Sequence, residues 1–115
     1  MIDQIIAKVG DEDIAISAIG YTELLHGLYR ASVPARRLAR ESFLRVIREE
    51  IAVLSFTEIT ADWAARLGAQ TAATGGNVPY ADLLIGATAI SVGYSVLTAN
   101  VRHFNLIPGL HVIPF

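Results

Sequence analysis

The most informative part of this chain is an apolar segment with one charge, Pro79-Tyr80-Ala81-Asp82-Leu83-Leu84-Ile85-Gly86. Asp82 is the only charged residue between Arg66 and Arg102. A carboxylate in such an apolar region is costly to bury unless a hydrogen bond, a cation or water compensates it. Pro79 suits the first position of a helix, which places Asp82 in the first turn, near the positive end of the helix dipole. Asp82 is therefore either a dipole partner or part of a functional site.

The pattern of acid, Leu, Leu, any residue and Gly occurs twice, in Glu23-Leu24-Leu25-His26-Gly27 and in Asp82-Leu83-Leu84-Ile85-Gly86. In a helix, the glycine lies one turn on from the acid and on the same face. We expect these two faces to meet and to place Glu23 and Asp82 around a divalent cation. The alternative is that the Leu pairs are core and the acids are dipole partners.

Length and composition predict a single domain over residues 1–115, because 115 residues with 53% hydrophobic content suffice for one core. The formal net charge of −2 provides no overall basic surface, so any contact with nucleic acid must be local. The sequence has no cysteine, which excludes disulfides, thiol catalysis and cysteine-ligated zinc. The start, Met1-Ile2-Asp3-Gln4, lacks the regions of a signal peptide, so we expect a cytoplasmic protein.

Residues 83–101 are uncharged over about the length of a membrane-spanning helix. Gly93 interrupts this run, and residues 94–98 are rich in residues typical of strands. A buried helix followed by a buried strand therefore explains the segment better than a membrane span.

Helices and strands are predicted to alternate along the chain. Helices are expected at residues 2–9, 19–30, 34–50, 58–74 and 79–93, strands at 14–17, 51–54, 95–98 and 110–113, and an acidic turn at 11–13. Apolar residues recur at helical spacing in three of these helices: Leu24, Leu25 and Leu28; Leu38, Leu44 and Ile47; Ile59, Trp63 and Leu67. This order indicates an α/β fold, a three-layer α/β/α sandwich with a mainly parallel sheet. Ligands of such sheets bind at the carboxyl ends of the strands, which we expect Glu23, Asp82 and Asn100 to reach.

Three segments resemble motifs of PIN-domain ribonucleases, and the chain is most similar to the VapC-type toxins of bacterial toxin–antitoxin pairs. The segments are Thr22-Glu23-Leu24-Leu25-His26-Gly27, Asp82-Leu83-Leu84-Ile85-Gly86-Ala87-Thr88-Ala89 and Leu97-Thr98-Ala99-Asn100-Val101-Arg102-His103-Phe104. The ending, Ile107-Pro108-Gly109-Leu110, also matches that group. The likeness covers nearly the whole chain in order.

The resemblance implies an endoribonuclease with a cluster of acids that binds Mg²⁺ or Mn²⁺. Glu23 takes the place of the family's second acid and Asp82 of its third, both as metal ligands and catalytic residues. Asn100 takes the place of the fourth, positioning water or metal, and Arg102 and His103 lie where they would touch substrate phosphate. The resemblance further implies an RNA substrate, a VapB-like antitoxin that covers the acidic cleft, and a homodimer.

The chain departs from the family at its start. Family members begin with a short central strand that ends in the first acid, and this chain begins at what resembles the following helix. Asp3 lies in the helical stretch, so the role is not moved onto it. Three explanations stay open: a misassigned or shortened start, a rearrangement or partner strand that fills the gap, and a decayed gene. We favour the first.

Two rival functions follow from the same residues. One is a PIN-fold binding module that keeps its affinity for the antitoxin but no longer cleaves RNA. The other is a receiver-like signalling domain, which is disfavoured because no phosphorylatable Asp ends a predicted strand. A smaller question concerns the arginines at 36, 37, 40, 45 and 48: they either bind RNA phosphate or an antitoxin segment, or form a solvated face balanced by Glu41, Glu49 and Glu50.

Overall fold

The computed structural model describes residues 14–114, which form two compact units, residues 14–56 and residues 57–114. The predicted helix at 2–9 and the acidic turn at 11–13 lie outside the described residues. The predicted α/β class is confirmed, and both strand pairs are parallel. The strands of residues 14–114 are few, each spans three residues, and they form one pair in each unit.

The first unit consists of β1 (Ala15–Ser17), α1 (Ala18–Arg30), α2 (Pro34–Glu50) and β2 (Ala52–Leu54). The helix α1 begins directly after β1, and the Ser17 hydroxyl caps it by accepting a hydrogen bond from the Gly20 N–H at 2.9 Å. Such a cap satisfies one of the N–H groups that the first turn of a helix leaves without a partner.

The apolar residues buried in this unit are Leu28 of α1 with Leu44 and Ile47 of α2. Leu38 was predicted to face inwards with them, but its side chain is 65% exposed. The first turns of α2 are exposed throughout, and the apolar face of the helix begins only in its second half. The inward stripe predicted for α2 is therefore correct for two of its three members.

The second unit consists of α3 (Glu58–Ala73), α4 (Tyr80–Val92), β3 (Val96–Thr98), α5 (Val101–Phe104) and β4 (Val112–Pro114). Thr57 caps α3 as predicted, in a reciprocal capping box with Thr60. Pro79 precedes α4 as its N-cap rather than occupying the first helical position, so the prediction is wrong by one residue. The predicted turn after Asn100 contains the single-turn helix α5. Gly93 ends α4 as expected, in the left-handed conformation.

One hydrophobic core holds the second unit together, with α3 packed along α4. Its buried members come from both helices, from β3 and from the segment around α5: Ala64, Leu67, Leu83, Ala87, Ala89, Val96, Phe104 and Ile107. Burying a side chain the size of Leu or Phe stabilises a fold by about 1.5–3 kcal/mol. This core therefore fixes the start of α4 and the whole of α5 relative to each other.

No helix within residues 14–114 combines the length and apolar character that crossing a bilayer requires.

Candidate active site

Asp82 lies in the first turn of α4, as predicted, and its side chain is 18% exposed. The next residue, Leu83, is buried in the core and fixes the rotation of the helix at this point. The start of α4 has no side-chain cap, so its N–H groups and the positive end of its dipole favour a carboxylate here. The position of Asp82 at the start of α4 therefore suits a carboxylate.

His103 reaches Asp82 from α5, with its ring Nδ1 atom 2.8 Å from Asp82 Oδ2. The adjacent Phe104 is 4% exposed and anchors this short helix in the core. The imidazole is partly exposed, with 34% of its side chain accessible. The contact engages one of the two carboxylate oxygens of Asp82.

Asn100 completes a cluster of three polar side chains. Its Nδ2 atom lies 2.9 Å from the same Nδ1 atom of His103. Its backbone N–H donates a 2.9 Å hydrogen bond to the hydroxyl of Thr98, the last residue of β3. Thr98 thus holds the chain as it leaves the strand, and α5 then turns His103 towards Asp82.

The presence or absence of a proton on Nδ1 decides whether the His103 ring binds Asp82 or Asn100. A neutral imidazole nitrogen is either a donor or an acceptor. With a proton on Nδ1, the ring donates to the Asp82 carboxylate. Without that proton, Nδ1 accepts from the Asn100 amide and has no N–H to donate to the carboxylate. An ionised Asp82 therefore selects the tautomer protonated at Nδ1.

Glu23 lies on the exposed surface of α1, in the other unit. Its convergence with Asp82 stays a prediction. The glycines of the repeated pattern each have a packing role within their own unit. A Cβ atom on Gly86 would lie 2.6 Å from Ile107 Cδ1, and one on Gly27 would lie 2.9 Å from Arg40 Nη1. Close packing at the two glycines therefore explains the repeated pattern without requiring Glu23 and Asp82 to meet.

Of the two residues predicted to touch substrate, only His103 contacts the cluster. Arg102 is exposed on the same short helix. Sequence reasoning missed the contact between His103 and Asp82 and the role of Thr98. The signal for Thr98 was available, because Ser or Thr two residues before a turn residue often binds its backbone N–H.

The donors of this cluster suit a hard cation. Mg²⁺ is usually held by one or two carboxylates and several waters, and Asp82 with the amide of Asn100 offers oxygen ligands of this kind. Among residues 14–114 no group of three or more His, Asp or Glu side chains is arranged to hold a metal. Asp82 is therefore the single carboxylate that the described cluster offers to such a cation.

The sequence matches the model of the PIN domain over residues 2–109, and the chain belongs to the PIN-domain family. Within that family it is of the VapC type. It is 35% identical to ribonuclease VapC1 of Rickettsia felis over 98 residues, which is 85% of this chain and 73% of that protein. It is 32% identical over 100 residues to a tRNA(fMet)-specific endonuclease VapC of Salmonella typhimurium, with 86% and 73% covered.

Solved structures agree with this assignment. The DNA-bound VapBC of Salmonella typhimurium matches with a TM-score of 0.81 at 28% identity, over 96% of this chain and 81% of that one. The VapBC2 of Rickettsia felis bound to a promoter DNA fragment matches with a TM-score of 0.83 at 24% identity, over 97% and 80%. The second likeness supports the fold alone, and the first supports the VapC assignment as well.

Proposed function

We propose that this protein is a metal-dependent endoribonuclease toxin that cleaves RNA and is inhibited by a VapB-like antitoxin. The observation that carries the proposal is the partly buried Asp82, oriented by His103 through one oxygen while the other remains for a metal. Family membership and the ribonuclease names of the relatives support RNA as the substrate. The VapBC complexes among similar structures support the antitoxin partner. A homodimer, which the resemblance implies, is part of the same proposal.

In this proposal Asp82 and Glu23 hold one Mg²⁺ or Mn²⁺ ion. When bound, such an ion activates water and stabilises negative charge on the phosphoryl group. Asp82 supplies a carboxylate oxygen whose direction His103 fixes. The Asn100 amide orients a water molecule beside it. Arg102, exposed on the same helix, is available for a substrate phosphate.

The experiment is RNA cleavage by the purified chain with Mg²⁺ and with a chelator. Asp82→Asn keeps the size of the side chain and removes its charge. We expect it to lower cleavage by more than about 100-fold, because even outer partners of metal sites are worth about 10- to 100-fold. Asp62→Asn is the matched control, since Asp62 forms an exposed pair with Arg66 at 2.8 Å. Such exposed pairs contribute about 0–1 kcal/mol, and this variant should cleave normally.

The second candidate is the PIN-fold binding module without nuclease activity. One observation favours it: the described cluster contains a single acid, Asp82, beside an amide and an imidazole. This module would bind a VapB-like antitoxin peptide and show no cleavage with Mg²⁺ or Mn²⁺. Cleavage that depends on metal and is lost in Asp82→Asn would exclude it.

A further inference from the structure

A surface pocket of about 330 Å³ lies where α1 passes into α2, within residues 14–56. Three arginines and the short connection between the helices line it: Arg30, Ala31, Ser32, Val33, Arg36 and Arg40. No acidic side chain is among these lining residues. The pocket therefore concentrates three positive charges on a small, open and mainly polar surface.

Arg40 is fixed at this pocket by the end of α1. The N–H of Ala31 bonds to the carbonyl of Leu28, so the last turn tightens and the Gly27 carbonyl is left to another donor. Arg40 Nη1 donates to that carbonyl. Gly27 permits this approach because a side chain there would meet the guanidinium at 2.9 Å. One of the five N–H donors of the Arg40 guanidinium therefore binds the Gly27 carbonyl, and the others are left for a ligand.

Other arginines of α2 are engaged away from the pocket. Arg37 pairs with Glu41 at 3.3 Å. Arg48 donates to the Tyr21 hydroxyl at 3.1 Å, which raises the pKa of its guanidinium. The basic face of α2 therefore has two parts. Some of its arginines have partners elsewhere in the same unit, whereas the pocket has excess positive charge.

The start of α2 adds to this field. Val33 is the N-cap and gives no side-chain hydrogen bond, and Pro34 opens the helix. The exposed N–H groups of a helix start and the positive end of its dipole favour anions. Guanidinium groups bind phosphate through paired, parallel hydrogen bonds. A phosphate thus suits both the charge and the donor geometry of the pocket.

We infer that this pocket binds a phosphate group of the RNA backbone, at a subsite formed by Arg30, Arg36 and Arg40. The inference deepens the proposed function, on which its choice of RNA rests. An acidic peptide is the competing occupant. Phosphate is favoured because the connection offers little apolar surface for peptide side chains and three planar donors for one compact anion.

The test measures binding of a fluorescent single-stranded RNA with a chelator present, which removes the Mg²⁺ or Mn²⁺ that the proposed cleavage requires. The variant is Arg30→Gln with Arg36→Gln; both side chains are exposed, and Arg40 is kept for its contact with α1. We expect binding to weaken by about tenfold or more. The slope of log affinity against log salt should fall by roughly 0.7 for each phosphate that the variant no longer binds.

Arg45→Gln with Arg66→Gln is the matched control, because it removes two exposed arginines that do not line the pocket. Equal weakening in both double variants would overturn the inference, as would no weakening in the pocket variant. Arg36→Glu is a second test, and binding as tight as that of the unaltered chain would also overturn it. Tighter binding of polyglutamate than of RNA, abolished in the pocket variant, would assign the pocket to an acidic peptide and exclude RNA.

The two proposals fail separately. Pocket-dependent RNA binding by a chain that cleaves nothing with Mg²⁺ would support the subsite and overturn the nuclease. Metal-dependent cleavage with RNA binding unchanged in the pocket variant would support the nuclease and overturn the subsite.

Discussion

The Nδ1 atom of His103 lies 2.8 Å from Oδ2 of Asp82, across 21 residues of sequence. Two anchored elements create this contact: the start of α4, held by buried Leu83, and the single turn α5, held by buried Phe104. A hydrogen-bonded partner of a metal ligand fixes the direction of that ligand. We therefore propose that His103 is a positioning residue for Asp82, and its predicted contact with substrate stays a prediction.

Replacing His103 should weaken metal binding without removing a ligand. We expect His103→Ala to lower Mn²⁺ affinity by about 10- to 100-fold. His103→Asn should recover part of this loss, because its amide nitrogen can donate from near the position of Nδ1. His111→Ala is the control, since its ring contacts Ser95 at 2.7 Å outside the cluster. Equal Mn²⁺ affinity in His103→Ala and the control would contradict the positioning role.

The tautomer of His103 should depend on Asp82. Nitrogen-15 NMR of the neutral ring should show the proton on Nδ1 in the unaltered chain. In Asp82→Ala, Nδ1 should lose its proton and accept from Asn100, so the proton moves to Nε2. The resonances of His111 should stay unchanged. A proton on Nε2 of His103 in the unaltered chain would show that the carboxylate does not hold the ring.

The close contact at Gly86 predicts a non-additive pair of mutations. Gly86→Ala would bring a Cβ atom to 2.6 Å from Ile107 Cδ1, and we expect it to lower the free energy of unfolding by about 1–3 kcal/mol. Ile107→Val removes that Cδ1 atom and alone should cost about 0.5–1.5 kcal/mol. The double variant should lose less than the sum of the two. If urea unfolding gives additive losses of free energy, the contact with Ile107 does not determine the cost of Gly86→Ala.

The sequence placed the elements of the fold well because their ends carry local signals. Thr57, Pro79 and Gly93 each mark a helix end through chemistry that acts within a few residues. The buried face of α3 was harder to find. The residues spaced four apart include Ile59 at 67% and Trp63 at 37% exposure, whereas Thr60 and Thr71 are 2% and 5% exposed.

Threonine can line that face because its hydroxyl is satisfied locally. Thr60 bonds within the capping box, and Thr71 donates to the carbonyl of Gly68 at 3.0 Å. A hydropathy pattern counts both as polar, so it finds the buried Leu67 but misses these two threonines. This is a case in which hydrogen bonding overrides periodicity.

The site was only partly accessible from sequence. Motif resemblance identified Asp82 and Asn100 as neighbours, and the structure brings both to His103. The contact of His103 with Asp82 depends on how α4 and α5 pack, which no local pattern encodes. The partnership of Glu23 with Asp82 depends on long-range folding in the same way and remains a prediction.

Mn²⁺ binding, followed by electron paramagnetic resonance, tests the central claim that Glu23 and Asp82 share one cation. Glu23→Gln and Asp82→Asn should each weaken binding by about 10-fold or more. The matched controls, Glu49→Gln and Asp62→Asn, change other exposed acids in the same way and should bind Mn²⁺ like the unaltered chain. We predict that Glu23→Gln and Asp82→Asn both lose Mn²⁺ affinity and that the two controls do not. Undiminished binding in either Glu23→Gln or Asp82→Asn would contradict a shared metal.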